Sequence, residues 1–93
     1  MDRITQKDLE AVVARINAVT NSPMTQYAKI DDKYVGQIGN YHLSYAYGGV
    51  SLHRMVNEGG GISDVFRSGH MPKRELYERM HAFISGICAK ETT

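Results

Sequence analysis

The sequence predicts an α+β fold in which an antiparallel sheet of three to four strands lies between two terminal helices. Three observations support this prediction: a helical apolar pattern near the start of the chain, strand patterns in its middle, and a second helical pattern near its end. Each helix has one apolar face, and one face of the sheet is the simplest cover for both. The predicted order is therefore α-β-β-β-α, with room for one further short strand.

The first helix is predicted to begin after Thr5, a good N-cap residue that has Asp8 three positions later, as in a capping box. From Leu9 onward, apolar residues recur at helical spacing and form one face. Asn21 readily takes the left-handed conformation that ends helices, and Pro23 cannot continue one. We therefore expect the helix to end shortly before Pro23.

The middle of the chain has the composition of short strands. Tyr27 to Ile30 and Tyr34 to Ile38 are predicted strands on either side of a tight turn at residues 31–33. A stronger signal follows in "YHLSYAY", residues 41–47, which alternates with period two. We expect residues 50–56 to return as its partner strand.

Gly48-Gly49 is predicted to form the two-residue turn of this hairpin, because both glycines tolerate positive φ. This turn pairs Tyr47 with Val50 and Ser44 with His53. It also gives the hairpin one large apolar face, expected under the helices, and one smaller polar face. The tyrosines of the apolar face, expected in the core rather than in a base-stacking platform, are Tyr41, Tyr45 and Tyr47.

The last helix is predicted to start near Pro72, a residue that suits the first helical position. Apolar residues follow at helical spacing as far as Cys88, and a polar tail begins at about Lys90. Before this helix, the glycines at 59–61 match no phosphate-binding pattern and are expected to form a loop. Residues 62–67 are predicted to make a last short strand.

Composition limits the function classes. The 93 residues are enough for a single domain, residues 1–93, and too few for a second core. The net charge of +1 gives no overall field that attracts nucleic acid or an acidic membrane. No apolar run approaches the roughly 20 residues of a membrane span, and the N-terminus lacks the apolar segment of a signal peptide. A single cysteine excludes an internal disulfide and a thiolate metal cage. We therefore expect a cytoplasmic protein without membrane contact.

The strongest candidate binding site is the segment "RSGHMPKREL", which contains a cluster of basic residues without an acid among them. Lys73 and Arg74 fall in the first turn of the last helix, where the helix dipole disfavours cations. A helix start with nearby cations can bind an anion, such as a phosphate or a carboxylate of a partner protein. The alternative interpretation is that these side chains are solvated and pair with neighbouring acids. The members of this basic patch are Arg67, His70, Lys73 and Arg74.

His42, His53 and Arg54 form a secondary candidate surface. In the predicted register, the two histidines are diagonal neighbours on the outer face of the hairpin, an arrangement that suits a response to pH. A metal site needs three or four ligands, and no third ligand is apparent. We therefore predict no metal and no cofactor. Arg54 falls on the apolar face, so its side chain is expected to extend out at an edge.

The sequence contains no evident catalytic constellation. Ser44 opposite His53 is the only cross-strand pair of a serine and a histidine, and it has no third member. Cys88 lies in the apolar stripe of the last helix, a position that predicts an inert thiol. We therefore predict that the protein is not an enzyme. A small enzyme that acts through Ser44 and His53 is the alternative.

Five motifs lie between residues 34 and 86: "GNYHL", "AYGG", "RMVNEGGG", "DVF" and "PKRELY". With these motifs the chain resembles a family of small uncharacterised proteins encoded by tailed bacteriophages and prophages. The family has no assigned activity, so the resemblance implies no catalytic residues. It implies an accessory protein that works in the host bacterial cytoplasm. The expected role is binding to a host or phage protein, for example to block a defence system.

The predicted element order is also similar to that of double-stranded-RNA-binding domains, in which lysines at the start of the last helix contact phosphates. Here "PKREL" replaces the lysine-rich run, and Glu75 follows directly. A small nucleic-acid-binding module that uses the basic patch is therefore the alternative function. A sheet of this size also leaves an open edge and an uncovered face, which gives room for a homodimer.

Overall fold

The computed structural model describes residues 3–67 and 69–91. It confirms the α+β class, with a helix before and a helix after the strands. Within the described residues, five strands form two antiparallel sheets, rather than one sheet of three to four strands. The elements in chain order are α1 (Gln6–Val19), β1 (Tyr27–Ile30), β2 (Lys33–Gly36), β3 (Tyr41–Ala46), β4 (Gly49–Met55), β5 (Ile62–Asp64) and α2 (Lys73–Glu91).

Helix α1 begins as its sequence predicts. The Asp8 N–H donates to Thr5 Oγ1 at 3.2 Å, and the Thr5 N–H donates to Asp8 Oδ2 at 2.9 Å, which completes the capping box. At the other end, Asn21 takes the left-handed conformation with φ of 56°. The Ser22 N–H then donates to the carbonyl of Asn17 at 2.8 Å. These contacts satisfy free helix-end groups and turn the chain toward β1.

The larger sheet has the strand order β3-β4-β5, and its register differs from the prediction by two residues. The turn consists of Tyr47 and Gly48, with φ of 54° and 74°, and Gly49 is already the first residue of β4. Gly49 is needed there because a Cβ at this position would lie 3.0 Å from the backbone nitrogen of Met71. Since the shift is even, every side chain keeps the face that the sequence predicts.

Both helices pack on the same face of this sheet, as predicted. Val50 and Leu52 of β4 are fully buried between them. Of the three tyrosines expected in the core, only Tyr41 packs against it. The expectation for the other two is wrong: Tyr45 is 44 % exposed, and Tyr47 is 99 % exposed because it lies in the turn. The buried residues of this core are Leu9, Val12, Val13, Ile16, Val50, Leu52, Met71, Leu76, Met80 and Ile84.

Strands β1 and β2 form a separate two-stranded ribbon. Asp31 and Asp32 make its turn, with φ of 50° and 64°. A backbone hydrogen bond attaches the ribbon to the rest of the chain: the Gly36 N–H donates to the carbonyl of Glu58 at 2.8 Å. The Gln37 N–H donates to the carbonyl of Gln26, also at 2.8 Å, and extends the pairing of the ribbon itself beyond Tyr27 and Gly36.

Near the end of the chain, β5 stops at Asp64 rather than at residue 67. Helix α2 begins one residue after Pro72 and continues through Glu91, so the predicted polar tail is helical at residues 90–91. The rest of that tail, residues 92–93, lies outside the described residues. Cys88 is half-buried against the core. Neither helix of the described part of the chain is long and apolar enough to cross a bilayer.

Candidate functional site

Polar side chains line the face of the larger sheet that is opposite the helices. Residues that are directly paired across an antiparallel sheet share a face. One row across the sheet therefore contains Asp64, His53 and His42, which pair directly from β5 through β4 to β3. The next row contains Ser51 and Ser44, and His70 comes in beside them. We call this set the histidine face; its members are His42, Ser44, Ser51, His53, Asp64 and His70.

Asp64 organises the loop that brings His70 to this face. Its Oδ1 accepts the N–H of Phe66 at 3.3 Å and that of Arg67 at 3.2 Å, and its Oδ2 accepts the N–H of Gly69 at 2.9 Å. Arg67 completes the turn in a left-handed conformation, with φ of 53°. Both carboxylate oxygens of Asp64 are thus used to fold the loop.

Met71 then fixes the chain beside β4. Its N–H and carbonyl exchange two hydrogen bonds of 2.9 Å with Val50. This bridge places His70 next to Ser51, and the His70 Nε2 lies 3.3 Å from the Ser44 Oγ. The ring of exposed Tyr47 lies near that of His70, with 5.9 Å between ring centroids.

The structure brings together one residue of the basic patch and two of the secondary surface. The ring centroids of His42 and His53 are 5.9 Å apart, and those of His53 and His70 are 6.1 Å apart. His42 and His53 face each other directly; the predicted diagonal arrangement is wrong because the register differs. Within the described residues, no cluster of three or more histidine, cysteine, aspartate or glutamate side chains is arranged to hold a metal ion.

Burial changes the acid–base chemistry of this face. It lowers the pKa of both His42 and His53 below the ordinary 6.5, because a charged imidazole is poorly solvated there. The neighbouring His53 lowers the pKa of His42 further. For His53, the Asp64 carboxylate opposes the effect of burial, and His70 adds to it. Both imidazoles are therefore neutral at pH 7.

The predicted contact between Ser44 and His53 is also wrong. Ser44 pairs with Ser51 across the strands, and its hydroxyl contacts His70. A serine nucleophile needs a histidine that an acid holds in place. Here the nearby carboxylate, Asp64, binds three backbone N–H groups of the loop. The Ser51 hydroxyl is fully buried and has no hydrogen-bond partner among the described residues.

The remaining candidates lie outside the histidine face. Arg67 is exposed in the loop, and Lys73 and Arg74 are exposed in the first turn of α2. Arg54 is also exposed, as expected; its guanidinium carbon lies 5.9 Å from the centroid of the Tyr41 ring.

A groove of about 310 Å³ between α1 and β3 is a second candidate site, and the sequence interpretation missed it. Its walls are one side of α1, the outer edge of β3, and Met24 and Gln26 of the segment between α1 and β1. One signal for it was present: Asn17 is a polar residue next to the apolar stripe of the first helix. Which strand lies at an edge, however, depends on a strand order that the sequence does not define. We call it the α1–β3 groove; its central residues are Glu10, Val13, Ala14, Asn17, Leu43 and Tyr45.

Asn17 acts as a substitute for a neighbouring strand at one end of the groove. Its side chain is buried, and its Oδ1 accepts the N–H of Tyr41 at 2.8 Å. Its Nδ2 donates to the carbonyl of the same residue at 3.0 Å. The amide of Asn17 thus satisfies the backbone of Tyr41, which points away from β4.

This chain matches no protein-family model, no curated protein and no solved structure.

Proposed function

We propose that this protein is a non-enzymatic binding protein, encoded by a phage or prophage, that acts on a host or phage protein in the bacterial cytoplasm. The observation that supports this proposal is the position of the loop between β5 and α2. The loop places His70 on the histidine face, Arg67 is exposed in the same loop, and Lys73 and Arg74 are exposed at the start of α2, which follows it. A polar face with exposed cations in the adjoining chain segment suits a protein surface that carries carboxylates.

The Ser44–His70 contact supports a binding role over a catalytic one. Its distance is 3.3 Å, but the nearby acid, Asp64, serves the loop backbone. Without an orienting acid, the pair lacks the arrangement that activates a serine.

Affinity capture with matched variants tests the proposal. The patch variant Arg67→Gln/Lys73→Gln/Arg74→Gln removes three positive charges, and the control Arg3→Gln/Lys7→Gln/Arg15→Gln removes three exposed charges elsewhere. Each partner captured from bacterial lysate is purified and titrated against the wild-type protein and both variants. We expect the patch variant to lose affinity while the control retains it. Equal affinity of both variants for every partner would contradict this use of the basic patch.

A nucleic-acid-binding module is the second candidate, favoured by one observation: Lys73 and Arg74 are exposed in the first turn of α2, and cations at the start of a helix suit a phosphate ligand. Fluorescence anisotropy with labelled duplex RNA, duplex DNA and single-stranded DNA tests this candidate at low and at physiological salt. Each duplex-DNA phosphate contact changes log affinity by about 0.9 per log unit of salt. Salt-dependent binding that the patch variant loses would favour nucleic acid over a protein partner.

A further inference from the structure

We propose that an extended peptide segment of a partner protein adds as a strand to the open edge of β3, with apolar side chains in the α1–β3 groove and a lysine or arginine beside Glu10. This site adjoins the histidine face, with which it shares His42, and it includes no residue of the basic patch; the inference does not depend on either of them. It rests on the hydrogen-bonding groups of the edge, on the shape of the groove and on its charge.

The edge of β3 offers backbone groups to a new strand. In the larger sheet, β3 pairs only with β4, so its other side is an edge. Tyr41 directs its N–H and carbonyl away from β4, toward Asn17. In an antiparallel pair, every second residue points the same way, so Leu43 and Tyr45 also direct their backbone groups outward. An added strand can therefore form four backbone hydrogen bonds with these two residues.

Asn17 shows that the edge already accepts a strand-like partner. Its two bonds to Tyr41 have the pattern of one strand residue that pairs with another. The amide also marks one end of the site, because the position beside Tyr41 is taken. From there to Ala46, the edge accommodates about five residues of an extended chain, or about 17 Å.

The α1–β3 groove provides the side-chain contacts that such a strand needs. Successive side chains of a strand point to opposite faces, so every second side chain of the added segment faces α1. On that side, Val13 and Ala14 of α1 lie opposite Leu43 and Tyr45 of β3. The volume of about 310 Å³ is enough for one or two apolar side chains of ordinary size. Strand addition to a sheet edge uses this combination of backbone bonds and alternate pockets.

Charge defines the partner more narrowly. The described residues that line the groove include one carboxylate, Glu10, and neither lysine nor arginine. Glu10 lies at the Tyr45 end of the groove, about two helical turns before Asn17. Burial and the nearby Glu10 carboxylate both raise the pKa of the Tyr45 hydroxyl. A basic side chain near Tyr45 is therefore the complementary ligand group.

A library of random linear peptides displayed on phage particles tests this inference with the intact chain. We expect the selected peptides to alternate apolar and polar residues and to share a lysine or arginine at one position. The best peptide is then synthesised with a fluorescent label and titrated against variants of the protein. Its binding should slow hydrogen exchange at the Leu43 and Tyr45 amides, because both become hydrogen-bonded.

Tyr45→Pro removes one outward N–H and places a ring in the path of an added strand, while it leaves the pairing of β3 with β4 intact. Tyr45→Thr is the matched control, because it also removes the aromatic ring but retains the N–H. We expect Tyr45→Pro to weaken binding about tenfold or more relative to Tyr45→Thr. Glu10→Lys, an exposed change on α1 that leaves β3 untouched, should shift the selected charge from basic to acidic.

Several outcomes would overturn the inference. The first is a library without enriched sequences, and the second is a peptide that binds Tyr45→Pro and Tyr45→Thr equally well. A third is a selection in which Glu10→Lys leaves the charge preference unchanged. A light-scattering mass of two chains that Tyr45→Pro reduces to one would show that a second copy of this chain, not a partner peptide, occupies the edge.

Discussion

The two β-hairpins of this protein have similar turns and very different surroundings. The β3–β4 hairpin turns at Tyr47 and Gly48, and the β1–β2 ribbon turns at Asp31 and Asp32; in each turn both residues have positive φ. Yet Leu52 of the first hairpin is fully buried, whereas Ile30 and Tyr34 of the ribbon are 55 % and 73 % exposed. Local turn chemistry therefore forms both hairpins, but the helices cover only one of them.

The difference has an energetic consequence. An isolated two-stranded ribbon is at best marginally stable in water. The β1–β2 ribbon therefore depends on its contacts with the rest of the chain, such as the hydrogen bond from the Gly36 N–H to the carbonyl of Glu58. The β3–β4 hairpin belongs to the cooperative core with both helices. We expect the ribbon to open locally at a lower free energy than the larger sheet.

The largest effect should come from a truncation in the covered hairpin. Leu52→Ala removes a fully buried side chain between the helices and the sheet, and we expect it to lower the free energy of unfolding by about 2–5 kcal/mol. Ile30→Ala makes a similar truncation in the ribbon, where about half of the side chain is exposed. It should change the free energy of unfolding by less than about 1 kcal/mol. Urea unfolding measures both. Similar losses would show that the ribbon is part of the core.

The next effect concerns the polar contact between α1 and β3. Asn17→Ala leaves the buried N–H and carbonyl of Tyr41 without partners, so we expect a loss of about 1–3 kcal/mol. Gln6→Ala is the control, because this side chain is exposed on the same helix and bonds only to Glu10 among the described residues. Thermal unfolding and hydrogen exchange of the Tyr41 amide check the prediction. A loss no larger than that of Gln6→Ala would refute this role of Asn17.

A smaller, local effect should appear where the ribbon attaches. Gly36→Ala would place a Cβ 2.8 Å from the backbone oxygen of Asn57, so this contact has to shift. We expect faster hydrogen exchange throughout the ribbon, with a change of less than about 1 kcal/mol in global stability. In Gly86→Ala, the added Cβ meets no atom within 4 Å, and this control should stabilise α2 by about 0.5–1 kcal/mol. Unchanged exchange in the ribbon would mean that it is not held at Gly36.

The same comparison explains how much of the fold the sequence predicts. The helices and the faces of the β3–β4 hairpin follow from local periodicity, and the structure confirms them. The register of this hairpin does not follow from periodicity. Gly49 allows the close approach of Met71, and the sequence cannot show that Met71 lies beside it. The local strand pattern also does not show that the ribbon stays outside the larger sheet, because this depends on which strands pair with each other.

The candidate sites divide in the same way. His42 and His53 could be assigned to one face from alternation alone. His70 joins them only because Asp64 folds the loop between β5 and α2, which is a tertiary event. The α1–β3 groove exists because β3 lies at an edge. Sequence patterns thus identify the side chains of a site, whereas the contacts between distant segments decide which of them meet.

The two hairpins should also differ in how their stability responds to acid. Burial lowers the pKa of His42 and His53 in the larger sheet, so the unfolded chain binds protons more readily than the folded one. The stability that these residues contribute is fully present above the ordinary pKa of 6.5. It is lost as the pH falls through that value toward the lowered pKa of the folded state. Thermal unfolding between pH 7 and pH 5 should therefore show a falling midpoint.

Variants identify the groups responsible for this pH dependence. His42→Gln/His53→Gln should flatten it, because glutamine cannot take up the proton. Asp8 acts in a separate window: its hydrogen bonds with Thr5 lower its pKa below 3.8, so its contribution is lost only in stronger acid. The β1–β2 ribbon, residues 27–36, contains no histidine. A midpoint that falls equally in the double variant would show that the larger sheet is not the acid-sensitive region.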